Sequence, residues 1–242
     1  MNEEINGWNQ YPGQGLAVEE SEIQARVGSA ISSVYLWMTG ALALTGTIAY
    51  WVASHPEWVK TLFGWPFFVL CGVELALVFG LGAAINRLSF GAALAGFLLY
   101  SAVNGVTMCF IFLVYTMSSI SSTFFITGAM FGTMALIGHS TKANLSTMGG
   151  YLLMALIGLI IASVVNIFLR SDTLGWIVSI AGVLIFVGLT AYDAQKVRQN
   201  AEMAIRSGAG DLRKIALMGS LELYLDFINL FLHLLRLMGR RR

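Results

Sequence analysis

Apolar residues in this chain come in long unbroken runs, and a run of about 20 is what a helix needs to cross roughly 30 Å of hydrocarbon. Seven runs are read, at Gly28 to Ala53, Thr61 to Ile85, Phe90 to Tyr115, Thr123 to Ile137, Met148 to Leu169, Leu174 to Ala194 and Ile215 to Met238. The edges of the fourth blur into polar stretches such as MSSISST, Met117 to Thr123. Nowhere do apolar and polar positions alternate as strands require. The pattern therefore predicts an all-α integral membrane protein, a seven-helix transmembrane bundle rather than a barrel.

The last run, LELYLDFINLFLHLLRLM from Leu221 to Met238, departs from the others by carrying Glu222, Asp226, Asn229, His233 and Arg236. Alternating steps of four and three residues, at roughly 100° of rotation each, hold all five in a stripe about 80° wide. An ionisable group at mid-bilayer costs about 2.5–3.5 kcal/mol on insertion scales, so such a stripe needs partners or water. A helix lying flat in the membrane interface would also carry a polar face, but the stripe is narrow and the rest is Leu, Ile, Phe and Met. The helix is expected at the centre of the bundle. Its natural partner is Asp193, in GLTAYDAQKV at the C-terminal end of the sixth run, where the helix dipole opposes an acid. A local reading pairs Asp193 with Lys196 at i+3, a contact of small value. The functional reading brings Asp193 and Asp226 together across the polar connection between the last two spans. Two carboxyls in one dry site do not both ionise cheaply, so the pair shares a proton and senses pH.

Composition agrees with the pattern: of 242 residues, 57% are hydrophobic and 11% charged, with mean hydropathy +0.75. A net charge of +1 leaves no basic surplus for nucleic acid. Cys71 and Cys109 fall inside apolar runs without C-x-x-C or Cys/His spacing, so they read as packing residues. Residues 1–27 form a polar N-terminal tail without the apolar core of a signal peptide, 28–238 the seven-span domain, and 239–242 a basic C-terminal tail. Arg26, Arg87, Lys142, Lys196, Arg198, Arg206, Arg213 and Lys214 outnumber the basic loop residues of the opposite side, Lys60 and Arg170, which predicts a cytoplasmic N-terminus. Arg240, Arg241 and Arg242 oppose that reading: seven full crossings put them outside, whereas a final helix that ends part-way keeps them inside. Asn104 and Asn166 read as helix-contact residues, the Gly128–Gly132 G-x-x-x-G as close packing, and His139 as no metal ligand. The chain offers no nucleophile with a paired base, no phosphate loop and no metal cluster, so it is not read as an enzyme.

GLTAYDAQKV followed by LYLDFINLFLHLLRLMG after five apolar spans resembles the transmembrane Bax inhibitor motif family, most closely its bacterial members, over about Ile23 to Gly239. The resemblance implies six helices wrapped around the last one and a pH-dependent Ca2+ leak, with Ca2+ as transported ion and no resident cofactor. It makes Asp193 and Asp226 the proton-sharing latch, accompanied by Tyr192 and Asn229. CGVELALVFGLGAAINRLSF resembles the family's second span, with its intramembrane acid at Glu74 and its basic residue at Arg87, though their spacing turns them to opposite faces of a straight helix. Glu222, one turn before Asp226, adds negative charge to the same path, and His233 is hydrogen-bonded in the bundle or senses protons. With the proton shared, the path is shut; its loss sets two anions face to face, opens the helices and exposes carboxylates at Asp193 and Asp226 that hard cations such as Ca2+ prefer. The alternatives are a proton-coupled transporter of a small solute, and a regulatory membrane protein that binds a protease or a cell-death partner. The expected location is a bacterial plasma (inner) membrane.

Overall fold

The computed structural model describes residues 12–85, 87–208 and 210–242. They form eight helices: α1 Pro12–Ala53, α2 Pro56–Leu62, α3 Trp65–Ala84, α4 Phe90–Val114, α5 Met117–Ser140, α6 Ser146–Leu169, α7 Asp172–Ser207 and α8 Leu212–Met238. Seven of these are long and apolar enough to cross a membrane, and α2 is the exception. Side-chain oxygens set several starts: Ser89 caps α4 by accepting from the Ala92 amide, Thr116 caps α5, Ser171 caps α7 and Asp211 caps α8.

Several boundaries differ from the sequence reading, and α5 already begins at Met117, inside the MSSISST stretch read as a polar edge, because Thr116 caps it there. The second apolar run is preceded by a separate helix, because Pro56 and Pro66 each sit in a first turn, where a missing amide costs nothing. Residues 12–27, expected as a tail, continue α1 without a break; residues 1–11 lie outside the described residues. The polar connection after Ala194 is largely helix. In it Ala194, Val197 and Ala201 recur at helical spacing and are buried, while Glu202 and Arg206 pair at i,i+4 on the outer face. At 1.5 Å per residue, α7 is about 54 Å long, well beyond the roughly 30 Å of hydrocarbon. Its far end meets the extension of α1 through an ion pair of Arg206 with Glu20, N···O 2.8 Å.

The centre of the bundle is α8. Two thirds of its most apolar stretch is buried (67%), against 6% for α3 and for α6. Leu223, Tyr224 and Leu230 have no exposed surface at all. Around it pack α1, α4, α5 and α7, with α3 held mainly by α4 and α6 mainly by α7. The outer helices turn Phe68, Phe79, Ile157, Ile160 and Phe168 outward, an apolar surface suited to lipid tails. Close approach of α5 to α7 needs Gly138, since a Cβ there would overlap the Ala191 carbonyl oxygen.

The last helix does not stop part-way. It runs unbroken to Met238, and the basic tail then folds onto the corner between α4 and α5. There the Thr116 amide donates to Arg240 O (3.1 Å) and the Arg242 amide to Val114 O (2.9 Å), with a bridge between Tyr115 and Arg241. That corner lies at the end of the bundle away from the α7–α8 turn, so seven complete crossings leave the tail opposite the Glu20–Arg206 end.

Candidate functional site

Helices α7 and α8 form an antiparallel hairpin, α7 ending at Ser207 and α8 beginning at Leu212. Asp193 and Asp226 stand equally far from those ends, one on each helix, which sets them at the same level. Their carboxyls lie close enough to act on each other directly. Asp226 is 4% exposed, and its Oδ2 is buried without a donor among the described residues. The Asp193 side chain is 13% exposed. A buried carboxyl oxygen without a donor is costly unless a proton is shared across the pair, and the neighbouring acid is the group placed to share it.

One turn closer to the hairpin end lie Lys196 and Glu222. Lys196 Nζ donates to Glu222 Oε1 at 2.6 Å and stands 3.9 Å from Asp193 Oδ1. Lys196 therefore reaches across to α8, and its contact with Asp193 is the longer of the two. The mirrored offsets carry the signal for this pair: Lys196 follows Asp193 by one turn and Glu222 precedes Asp226 by one turn, the same level in an antiparallel hairpin. Read along a single helix, the spacing shows only the i+3 neighbour.

A cavity of about 540 Å³ between α6, α7 and α8 takes in Asp193, Asp226, Tyr192, Asn229 and His233 in its wall, together with Lys196 and Glu222. Four of the five polar residues of the α8 stripe thus face one space, while Arg236 is exposed. The Asn229 amide donates to Leu225 O on its own helix (2.8 Å). His233 stacks on Phe186 at 5.8 Å and 26°, and Gly182 makes room for the ring, since a Cβ there would stand 2.5 Å from it. A second cavity, of about 650 Å³, lies toward the hairpin turn and includes Asn200, Asp211 and Lys214.

Glu74 and Arg87 do not join this group. Glu74 on α3 accepts a hydrogen bond from Thr107 Oγ1 on α4 (2.6 Å), and the same hydroxyl stands 2.9 Å from Asn104 O. Through Asn104 Oδ1, which accepts from Tyr224 OH (3.1 Å), it reaches the side of α8 turned away from the acid pair. Tyr224 OH also meets Thr45 Oγ1 at 2.7 Å, and Thr45 donates to Ser101 O at 2.8 Å, so α1, α3, α4 and α8 share one buried polar network. The sequence showed Asn104 and Glu74 as separate helix residues; their link to each other and, through Asn104, to Tyr224 depends on how three helices pack. Arg87 is exposed in the turn after α3, with no ion pair among the described residues, so it is not a partner of the acids here. His139 accepts from or donates to Tyr35 OH through Nε2 (2.8 Å), and its carbonyl takes a hydrogen bond from Arg198. Gln195 joins α7 to the α5–α6 turn, accepting from the Leu145 amide (2.9 Å) and donating to Ala143 O (2.8 Å). No cluster of three or more His, Cys, Asp or Glu with metal-holding geometry occurs among the described residues.

Fold and site together define a polytopic all-α membrane protein whose central, last helix holds a buried carboxyl against a second one. Within that class the chain matches the family model described as inhibitor of apoptosis-promoting Bax1, over residues 27–242, and it belongs to that Bax inhibitor family. It is 47% identical over 227 residues to inner membrane protein YbhL of Escherichia coli K12, covering 92% of this chain and 97% of the relative. An uncharacterized protein of Borreliella burgdorferi is 40% identical over 230 residues, covering 94% of this chain and 98% of the relative. An uncharacterized membrane protein of Streptococcus pyogenes serotype M1 is 40% identical over 168 residues, covering 69% and 72%.

Proposed function

We propose that this chain is a pH-dependent calcium leak channel of a bacterial inner membrane, gated by proton sharing between Asp193 and Asp226. The observation that carries the reading is Asp226: 4% exposed, its Oδ2 without a donor among the described residues, against the Asp193 carboxyl in the wall of a cavity between α6, α7 and α8. A membrane protein that needed only packing at this level would place an apolar residue there, because an intramembrane acid is expensive to insert.

The sign follows from the charges. With one proton between them the two carboxyls attract, and the mid-sections of α7 and α8 stay together. Once the proton leaves, two anions repel in a low-dielectric site, the helices part, and oxygen ligands of the kind Ca2+ takes become available. Flux through the gate rises as pH rises. At low pH protonation of the carboxyls also lowers cation occupancy, which acts in the same direction. Ca2+ is the transported ion; the mechanism uses no cofactor and no covalent step. The N-terminus is placed on the cytoplasmic side, where the basic loops around Arg198, Arg206, Arg213 and Lys214 favour it.

The test is Ca2+ entry into liposomes holding the purified protein, scanned from mildly acidic to mildly alkaline pH, beside Asp193→Asn and Asp226→Asn. The expected result is a pH-dependent flux whose dependence either substitution flattens or shifts. No protein-dependent flux at any pH, or an unchanged profile in both variants, refutes the leak reading and turns attention to proton-driven solute uptake, which the same buried acids would serve.

A further inference from the structure

Two cavities lie end to end along the α7–α8 hairpin, and the residues common to both walls are Lys196 and Glu222. The outer one, about 650 Å³, includes the exposed residues Asn200, Ser207 and Asp211 near the hairpin turn. The inner one, about 540 Å³, holds the acid pair. Between them Lys196 Nζ bonds Glu222 Oε1 at 2.6 Å and lies 3.9 Å from Asp193 Oδ1.

We propose that the Lys196–Glu222 ion pair is a second gate, separate from the acid pair, in which a tethered ammonium closes the passage from the outer cavity to the inner one. A side chain fixed at that point must be able to leave it. Lys196 has a flexible four-carbon stem, and its side chain is 36% exposed against 19% for Glu222, so it swings toward the outer cavity while Glu222 stays in place. The ammonium also selects. It occupies the position an entering cation would take between Glu222 and Asp193, and an ion that passes has to replace a charge-assisted hydrogen bond with its own contacts to those carboxylates. A divalent cation does so more readily than a monovalent one, and an anion meets three carboxyls directly behind the lysine. No residue of α6 in the inner wall is charged, so the groups that act on the ammonium there are Asp193, Asp226 and Glu222, with Tyr192 and His233 as further titratable neighbours.

This inference rests on the leak reading only for its consequence on flux, and the experiment separates the two. With Cys71 and Cys109 replaced by alanine, a single cysteine is introduced at Asn229 in the inner cavity or at Asn200 in the outer one. Each full-length variant, in nanodiscs, is reacted with a cationic methanethiosulfonate. With Lys196 present, the cysteine of Asn229→Cys is expected to react much more slowly than that of Asn200→Cys. Adding Lys196→Gln, which keeps a donor for Glu222 but removes the charge, should raise the Asn229→Cys rate about tenfold, equivalent to about 1.4 kcal/mol of closure, and leave the Asn200→Cys rate unchanged. The swap of Lys196→Glu with Glu222→Lys should restore slow reaction. Equal rates at the two sites with Lys196 present, or no acceleration by Lys196→Gln while the Asn200→Cys control reacts normally, overturn the gate. If accessibility responds as expected but no variant passes Ca2+, the gate stands and the leak reading falls; if Ca2+ flux is pH-dependent but accessibility ignores Lys196, the reverse holds.

Discussion

Removing one oxygen atom tests whether α8 has two functionally separate faces. Tyr224 is fully buried, with Phe97 and Tyr100 edge-on at 5.7 and 5.9 Å, and its hydroxyl lies between Asn104 Oδ1 and Thr45 Oγ1. Tyr224→Phe keeps both ring contacts and takes away only the hydroxyl. Thr45 already gives its proton to Ser101 O, so it cannot compensate, and Asn104 Oδ1 loses a donor it has no obvious way to replace. A buried group left unpaired costs about 1–3 kcal/mol in soluble proteins, whereas hydrogen bonds between membrane helices average about 0.6 and reach about 1.7. The expected loss is thus about 1–2 kcal/mol, read from reversible unfolding in mixed micelles as denaturing detergent is raised. The same variant, reconstituted, should keep the pH profile of the parent, because the network lies on the side of α8 away from Asp226. A loss below about 0.3 kcal/mol would refute the claim that this network fastens four helices. A profile shifted like that of Asp226→Asn would refute the separation of the two faces.

Other expectations are more quickly stated. Gly138→Ala should destabilise the bundle by about 1–3 kcal/mol, because its methyl meets the Ala191 carbonyl; unchanged thermal stability in detergent would show that α5 and α7 can slide apart freely. Glu74→Gln preserves an acceptor for Thr107 and, since Glu74 does not line the cavity of the acid pair, should leave the pH dependence of Ca2+ entry as in the parent; an altered dependence would put Glu74 in the ion path. Ending the chain at Gly239 removes the bonds of Arg240 and Arg242 to the α4–α5 corner and should cost about 1 kcal/mol by the same unfolding assay, with the acid-pair profile intact.

What the sequence shows and what it hides divides along physical lines. Spans were legible because hydrocarbon demands long apolar runs, and the central place of α8 followed from a narrow polar stripe in an otherwise apolar helix. The meeting of Asp193 with Asp226 was legible because two expensive acids in adjacent spans need each other. The extension of α7 was not, since its amphipathic pattern around Val197 and Ala201 is diluted by charged residues that hydropathy reads as loop. Lys196–Glu222 and the Tyr224 network depend on register and on the packing of helices distant in sequence, which one-helix spacing does not contain. The resemblance marks Glu74 as the intramembrane acid of the second span and Arg87 as its basic residue; which neighbours they meet is set by the packing of α3 on α4, which one-helix spacing does not contain.

That α8 is both the centre of the bundle and the last helix in chain order has a consequence for biosynthesis. The ribosome delivers α1, α4, α5 and α7 into the bilayer before the helix they pack around exists, so the surfaces that will enclose Leu223, Tyr224 and Leu230 must meanwhile be held by lipid or by insertion machinery. Until α8 arrives, Asp193 has no carboxyl partner and the polar side chains of α1 and α4 have no Tyr224. A nascent chain stalled before residue 212 is therefore the form quality-control proteases should recognise first, and arrival of the final span is the step that turns a set of inserted helices into a folded protein.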